Sequence, residues 1–93
     1  MNRLINKTAI ITGSSRGLGR MIAIAFAKEG ANVVVNYRAN KKAATELANE
    51  IKSYNKNVII IKGDVANRKD VKNIFKQTYS KFNAIDILVN NAG

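Results

Sequence analysis

The chain reads as an α/β protein built on a parallel sheet with helices on both faces, the first half of a doubly wound fold. Three observations predict this. Four strand-like runs alternate with three helical ones, the strand runs are apolar throughout, and a glycine-rich turn joins the first strand to the first helix. Strands that alternate with amphipathic helices need crossover connections, which make a parallel sheet. Strands apolar on both sides are what such a sheet buries.

Residues 7–12 form the first strand, apolar and β-branched. Gly17–Lys28 follows as a helix carrying Leu18, Ile22, Ala25 and Phe26, closed by Gly30 as a C-terminal cap. Asn32–Tyr37 holds the continuous apolar run Val33-Val34-Val35. The spacing of Ala44, Leu47, Ala48 and Ile51 predicts a helix over 41–54. Val58-Ile59-Ile60-Ile61 is a third buried strand, ended by Gly63-Asp64. Arg68–Phe82 is the clearest helix, with Val71, Ile74, Phe75, Thr78, Tyr79 and Phe82 in one stripe. Ile87–Val89 is a fourth strand, running into Asn90-Asn91-Ala92-Gly93. Strand starts recur every 25–29 residues, the length of one β-α unit. The expected strand order is 3-2-1-4. A complete fold of this kind continues through further strands, so residues 1–93 are expected to be an N-terminal piece whose catalytic half is absent.

Composition narrows the function. With no cysteine and no histidine, disulfide frameworks, thiolate metal sites and imidazole chemistry are excluded. The six acidic residues do not cluster, so no metal site is expected. The start of the chain lacks the apolar core of a signal peptide, and no apolar run approaches a membrane span, so a cytoplasmic protein without membrane contact is expected. Sixteen Lys and Arg leave a net charge of +10. They are dispersed along the polar sides of the helices, with no basic run and no aromatic interleaving, so no nucleic-acid partner is expected.

The stretch Thr12-Gly13-Ser14-Ser15-Arg16-Gly17-Leu18-Gly19 carries the chemistry. A glycine-rich turn between strand and helix lets backbone approach a ligand, and the helix N-terminus offers unpaired N–H groups and a positive dipole end. That is a phosphate cradle. Its spacing, Gly-x-x-x-Gly-x-Gly, is neither G-x-G-x-x-G nor the G-x-x-x-x-G-K-[ST] of an ATP or GTP loop. A tight turn without a ligand would also fit the glycines alone.

The turn, Asp64-Val65 after the third strand and Asn90-Asn91-Ala92-Gly93 after the fourth together resemble the short-chain dehydrogenase/reductase family, in its classical branch, over the whole chain. The wording is most similar to the 3-oxoacyl-(acyl-carrier-protein) reductases and the glucose 1-dehydrogenases. The resemblance implies a Rossmann-type sheet that binds a dinucleotide, in a cytoplasmic oxidoreductase. That enzyme would move a hydride between the nicotinamide and a carbonyl or alcohol carbon. A 3-oxoacyl thioester of fatty acid biosynthesis is the leading substrate, held as a small molecule or on an acyl carrier. A sugar dehydrogenase and an inactive truncated nucleotide-binding fragment are the alternatives, and the parent is expected to be a homo-oligomer.

Residue by residue, the resemblance implies that Gly13 lets the chain turn under the adenosine, while Gly17 and Gly19 let backbone and helix close on the pyrophosphate. Leu18 would supply a backbone N–H, and Ser15 and Arg16 stand within reach of a 2′-phosphate. Asp64 would accept from the adenine amino group beside the Val65 backbone, although a cap or turn role fits Asp64 equally. Asn90 would flank the ribose, and Ala92 and Gly93 would let the strand end pass close to the cofactor. Asn91 fits a purely structural tie between strands.

NAD-specific sites place an acid after the second strand, where it holds the ribose 2′-OH and repels a 2′-phosphate. Here Asn36-Tyr37-Arg38 stands there, with no carboxylate before Glu46. Arg16 and Arg38 can clamp a dianionic phosphate, so NADP is expected over NAD. Two solvated arginines would be the plainer reading. The serine and Tyr-x-x-x-Lys pair that the family uses in catalysis are expected beyond Asn-Asn-Ala-Gly, so no catalytic residue is assigned in residues 1–93. Tyr37 and Lys41 match that spacing, but they follow the second strand, where no hydride is transferred.

Overall fold

A computed structural model describes residues 2–91 of the chain. Its elements, in order, are β1 (Thr8–Ile11), α1 (Gly17–Lys28), β2 (Asn32–Tyr37), α2 (Lys41–Lys52), β3 (Val58–Lys62), α3 (Arg68–Phe82) and β4 (Ile87–Val89). The four strands form one sheet in the order β3-β2-β1-β4, and every pairing is parallel. The expected order is therefore the observed one.

Because side chains alternate across a strand, a continuously apolar strand feeds two cores. Ala9, Ile11, Val33 and Val35 pack with Ala23, Ala27, Ala44, Leu47 and Ile51 under α1 and α2. Ile10, Val34 and Ile61 face the other way and pack with Ile74 of α3. Register brings Ile10 level with Val34 on one side and Leu88 on the other.

The helix ends follow local chemistry. Gly30, with φ at 91°, ends α1, and its N–H bonds to Ala27 while that of Ala31 bonds to Phe26. That paired arrangement satisfies carbonyls the helix leaves open. α2 stops at Lys52, two residues short of the expected end, where the Ser53 hydroxyl donates to the Glu50 carbonyl. Asn83 closes α3 in the left-handed region. Across the α1–α2 contact Arg20 pairs with Glu50, and the Lys28 ammonium lies 5.3 Å from the centre of the Tyr54 ring. Partial burial, and then Glu50 beside it, push the Tyr54 phenol above its ordinary range.

The stripe on α3 is less covered than its spacing suggests. Ile74 and Thr78 are buried, whereas Phe75 and Tyr79 are 39% and 60% exposed. Ile74 and, in part, Phe82 pack against the core on that face of the sheet, while the side of the stripe that carries Phe75 and Tyr79 is open.

Candidate functional site

β1 is the topological switch point of the sheet, with β2 on one side and β4 on the other. Ligands of open α/β sheets bind outside the carboxyl ends of the strands at such a point. A cleft of about 930 Å³ lies there. The segments after all four strands line it: Gly13 and Ser15 to Leu18 after β1, Arg38 to Asn40 after β2, Gly63 to Ala66 after β3, and Asn90 and Asn91 after β4.

The glycine turn has the backbone its sequence requires. Gly13 and Gly17 take φ of 59° and 62°, a region other residues seldom enter. At Gly19 the constraint is space, since a Cβ would stand 2.5 Å from Asn91 Nδ2 and 2.8 Å from the Gly13 carbonyl oxygen. The helix can close on the turn only without a side chain there.

The three helices differ at their starts. Asn40 caps α2 by accepting from the Ala43 N–H, and Asn67 caps α3 by accepting from the Asp70 N–H. At α1 the N-cap residue, Arg16, makes no side-chain cap, and the first turn holds no acid. Its dipole end and open N–H groups therefore face the cleft, an arrangement suited to an anion.

The rim carries both signs of charge. Arg38, after β2, and Arg16 line the cleft together with Asp64. Arg38 Nε lies 3.6 Å from Asp64 Oδ2. The other Asp64 oxygen accepts from the Ala66 N–H at 2.9 Å, and Asp70 accepts from the Asp64 N–H at 2.8 Å. Asp64 thus has the turn role that the sequence left open, and its second oxygen also faces the cleft rim. No carboxylate takes the place after β2: Tyr37, which ends the strand, is buried in the core under α1 and α2, and Arg38 follows it. Lys41 is exposed at the start of α2, and nothing brings Tyr37 and Lys41 together as a reacting pair.

Asn91 ties strands. Its N–H donates to Thr12 Oγ1 at 2.9 Å and its side-chain amide to the Gly13 carbonyl at 3.3 Å. Asn90 is exposed on the rim, with Oδ1 3.4 Å from Thr12 Oγ1. The expected site residues Gly13, Ser15, Arg16, Gly17, Leu18, Arg38, Asp64, Val65 and Asn90 all line the cleft, and Gly19 lies behind the turn. Ala92 and Gly93 lie outside the described residues.

Sequence reasoning missed Ser14 and the structural part of Asn36. Both are buried and bonded to each other, and Asn36 also lines the cleft. The one available signal was a polar residue interrupting a buried apolar strand.

The fold and this cleft define a protein of the Rossmann-type α/β class. The family model for short chain dehydrogenases matches residues 7–93. The chain is 45% identical over 89 residues to the 3-oxoacyl-[acyl-carrier-protein] reductase of Staphylococcus epidermidis, and 44% identical to that of Staphylococcus aureus. In each case the match covers 96% of this chain and 36% of the relative. Among solved structures, the glucose dehydrogenase of Caenorhabditis elegans superposes with a TM-score of 0.90 at 40% identity, covering 98% of this chain and 39% of that one. The hydroxysteroid dehydrogenase of Escherichia coli superposes with a TM-score of 0.91 at 40% identity, covering 98% and 38%. The chain belongs to the short-chain dehydrogenase family. It spans a little over a third of the length of the curated relatives it matches. Among the described residues, no helix is long and apolar enough to cross a membrane.

Proposed function

We propose that this chain holds the adenosine and pyrophosphate portion of NADP(H) in an oxidoreductase that acts on a carbonyl or alcohol group. When bound, the cofactor supplies hydride chemistry at a carbon atom of the substrate. This chain's own residues bind and orient it. The α1 N-terminus and the turn around Gly17 and Leu18 meet the pyrophosphate, Asp64 accepts from the adenine amino group, and Asn90 flanks the ribose. The polar groups fit such a ligand: open N–H donors at an uncapped helix start, a carboxylate oxygen on the rim that can accept, and two arginines for a 2′-phosphate.

One observation carries the choice of NADP. The residue presented to the cleft after β2 is Arg38, with no acid adjacent to it in the sequence, and the one carboxylate near it is that of Asp64, from the segment after β3. A guanidinium meets a dianionic phosphate with charge-assisted hydrogen bonds, whereas a ribose hydroxyl gains little from it. Likeness to the acyl-carrier-protein reductases supports 3-oxoacyl thioesters as the substrate class. Equilibrium titration tests the cofactor reading. NADP and 2′-phospho-ADP-ribose should bind this chain about equally, and both more tightly than NAD. Absence of binding by either 2′-phosphorylated ligand would overturn it.

A further inference from the structure

Asn36 is the one polar side chain inside the β2 core, 2% exposed, and its amide is fully engaged. Its Oδ1 accepts from the Gly13 N–H at 3.3 Å. Its Nδ2 donates to the carbonyls of Ile61 and Gly63, both at 3.2 Å. These partners admit a single amide orientation, since reversing it would set oxygen against two carbonyls and NH₂ against an N–H. The backbone of the same residue is used as well. Its N–H donates to Ser14 Oγ at 3.1 Å, and its carbonyl accepts from the Ser14 N–H at 3.1 Å.

One side chain therefore bridges the two walls of the cleft. On one side lies the turn that opens at Gly13. On the other lies Gly63, whose successor Asp64 presents its carboxylate to the rim. We infer that Asn36 is a positioning residue for the cofactor: it fixes the distance between the phosphate turn and the Gly63–Asp64 wall, so that one ligand can touch both. This rests on the cofactor reading above. It also explains why a buried amide is retained in an apolar strand, where a valine would fill similar space. A buried polar group that is fully bonded specifies one arrangement of its partners, and here those partners are the two walls.

A merely structural amide would change thermal stability and leave ligand affinity in the folded protein untouched. The test is Asn36→Leu in the full chain, similar in branched shape and uncharged, with the Kd for NADP and NAD measured by calorimetry at a temperature where circular dichroism shows the variant folded. Affinity for both ligands should fall by about tenfold or more, with the ratio between them held within about twofold. An unchanged Kd in the folded variant would overturn the inference, as would a loss confined to NADP. Should the variant not fold, the wild-type protein decides by NMR. The Asn36 side-chain amide protons should exchange slowly and shift when the protein is saturated with 2′,5′-ADP. Fast exchange, or no shift at saturation, would overturn the inference. If the wild-type chain binds neither NADP nor NAD, the cofactor reading itself fails, whereas normal binding by a folded Asn36→Leu sinks this inference alone.

Discussion

Arg38 and Asp64 face each other across the rim of the cleft, guanidinium to carboxylate at 3.6 Å. The pair is open to water, with the arginine side chain 79% exposed and the aspartate 34%. Exposed pairs of this kind contribute about 0–1 kcal/mol. A hydrogen bond to a charged group contributes about 1.5–3 kcal/mol. The second quantity exceeds the first, so on the proposed cofactor reading a 2′-phosphate would draw Arg38 away from Asp64 at small cost. An exposed ion pair of this strength does not lock the arginine.

That relationship gives a first prediction. Asp64→Asn keeps an oxygen for the Ala66 N–H but sets an NH₂ in place of the rim-facing oxygen, which weakens the adenine contact for both cofactors alike, and it removes the charge that competes for Arg38. The preference for NADP over NAD should rise by about two- to fivefold, in line with the weakness of exposed pairs. The rise should vanish in an Arg38→Ala background. Competitive titration of both cofactors against the single and double variants measures the coupling.

A second prediction concerns Gly19. The added methyl of Gly19→Ala meets the Gly13 carbonyl and the Asn91 amide, both part of the framework of the turn and not free chain ends. Overpacking of this kind costs about 1–3 kcal/mol. For a chain this size the melting temperature should fall by roughly 4–8 °C per kcal/mol. Thermal denaturation followed by circular dichroism reads it, and an unchanged Tm would mean that the α1 start moves freely away from β4.

The third prediction separates the buried centre of α3 from its exposed flank. Ile74 packs against Ile10, Val34 and Ile61, so Ile74→Ala should cost about 2–5 kcal/mol. Phe75→Ala removes a larger side chain that is already 39% exposed, and should cost less than about 1 kcal/mol. Urea midpoints for the two variants give the order directly.

The seven elements were legible because their signals are local. Period-3.6 stripes, continuous apolar runs and the glycine at position 30 fix α1, β2, α3 and β4 to the residue. β1, α2 and β3 differ by one or two residues at their ends, where hydrogen bonds such as Ser53 to Glu50 decide the boundary. The line of cleft residues was legible too, since the parallel order places every strand's C-terminal end on one edge. What the chain order hides is cross-strand bonding. Asn36 meets Gly13 and Gly63 only through sheet register, and Asn55 closes on the carbonyls of Ala27 and Ala31 from across the α1–β2 turn. The six-residue stripe on α3 likewise could not say how much of its width the sheet would cover.

Titration of NADP and NAD against the wild-type chain and Arg38→Asp is the most direct test of 2′-phosphate recognition. The wild-type chain should prefer NADP, and the substitution should move the preference toward NAD by at least about tenfold, as expected for losing a charge-assisted contact of roughly 1.5–3 kcal/mol and gaining a repulsive carboxylate. Equal preference ratios before and after the substitution would contradict it.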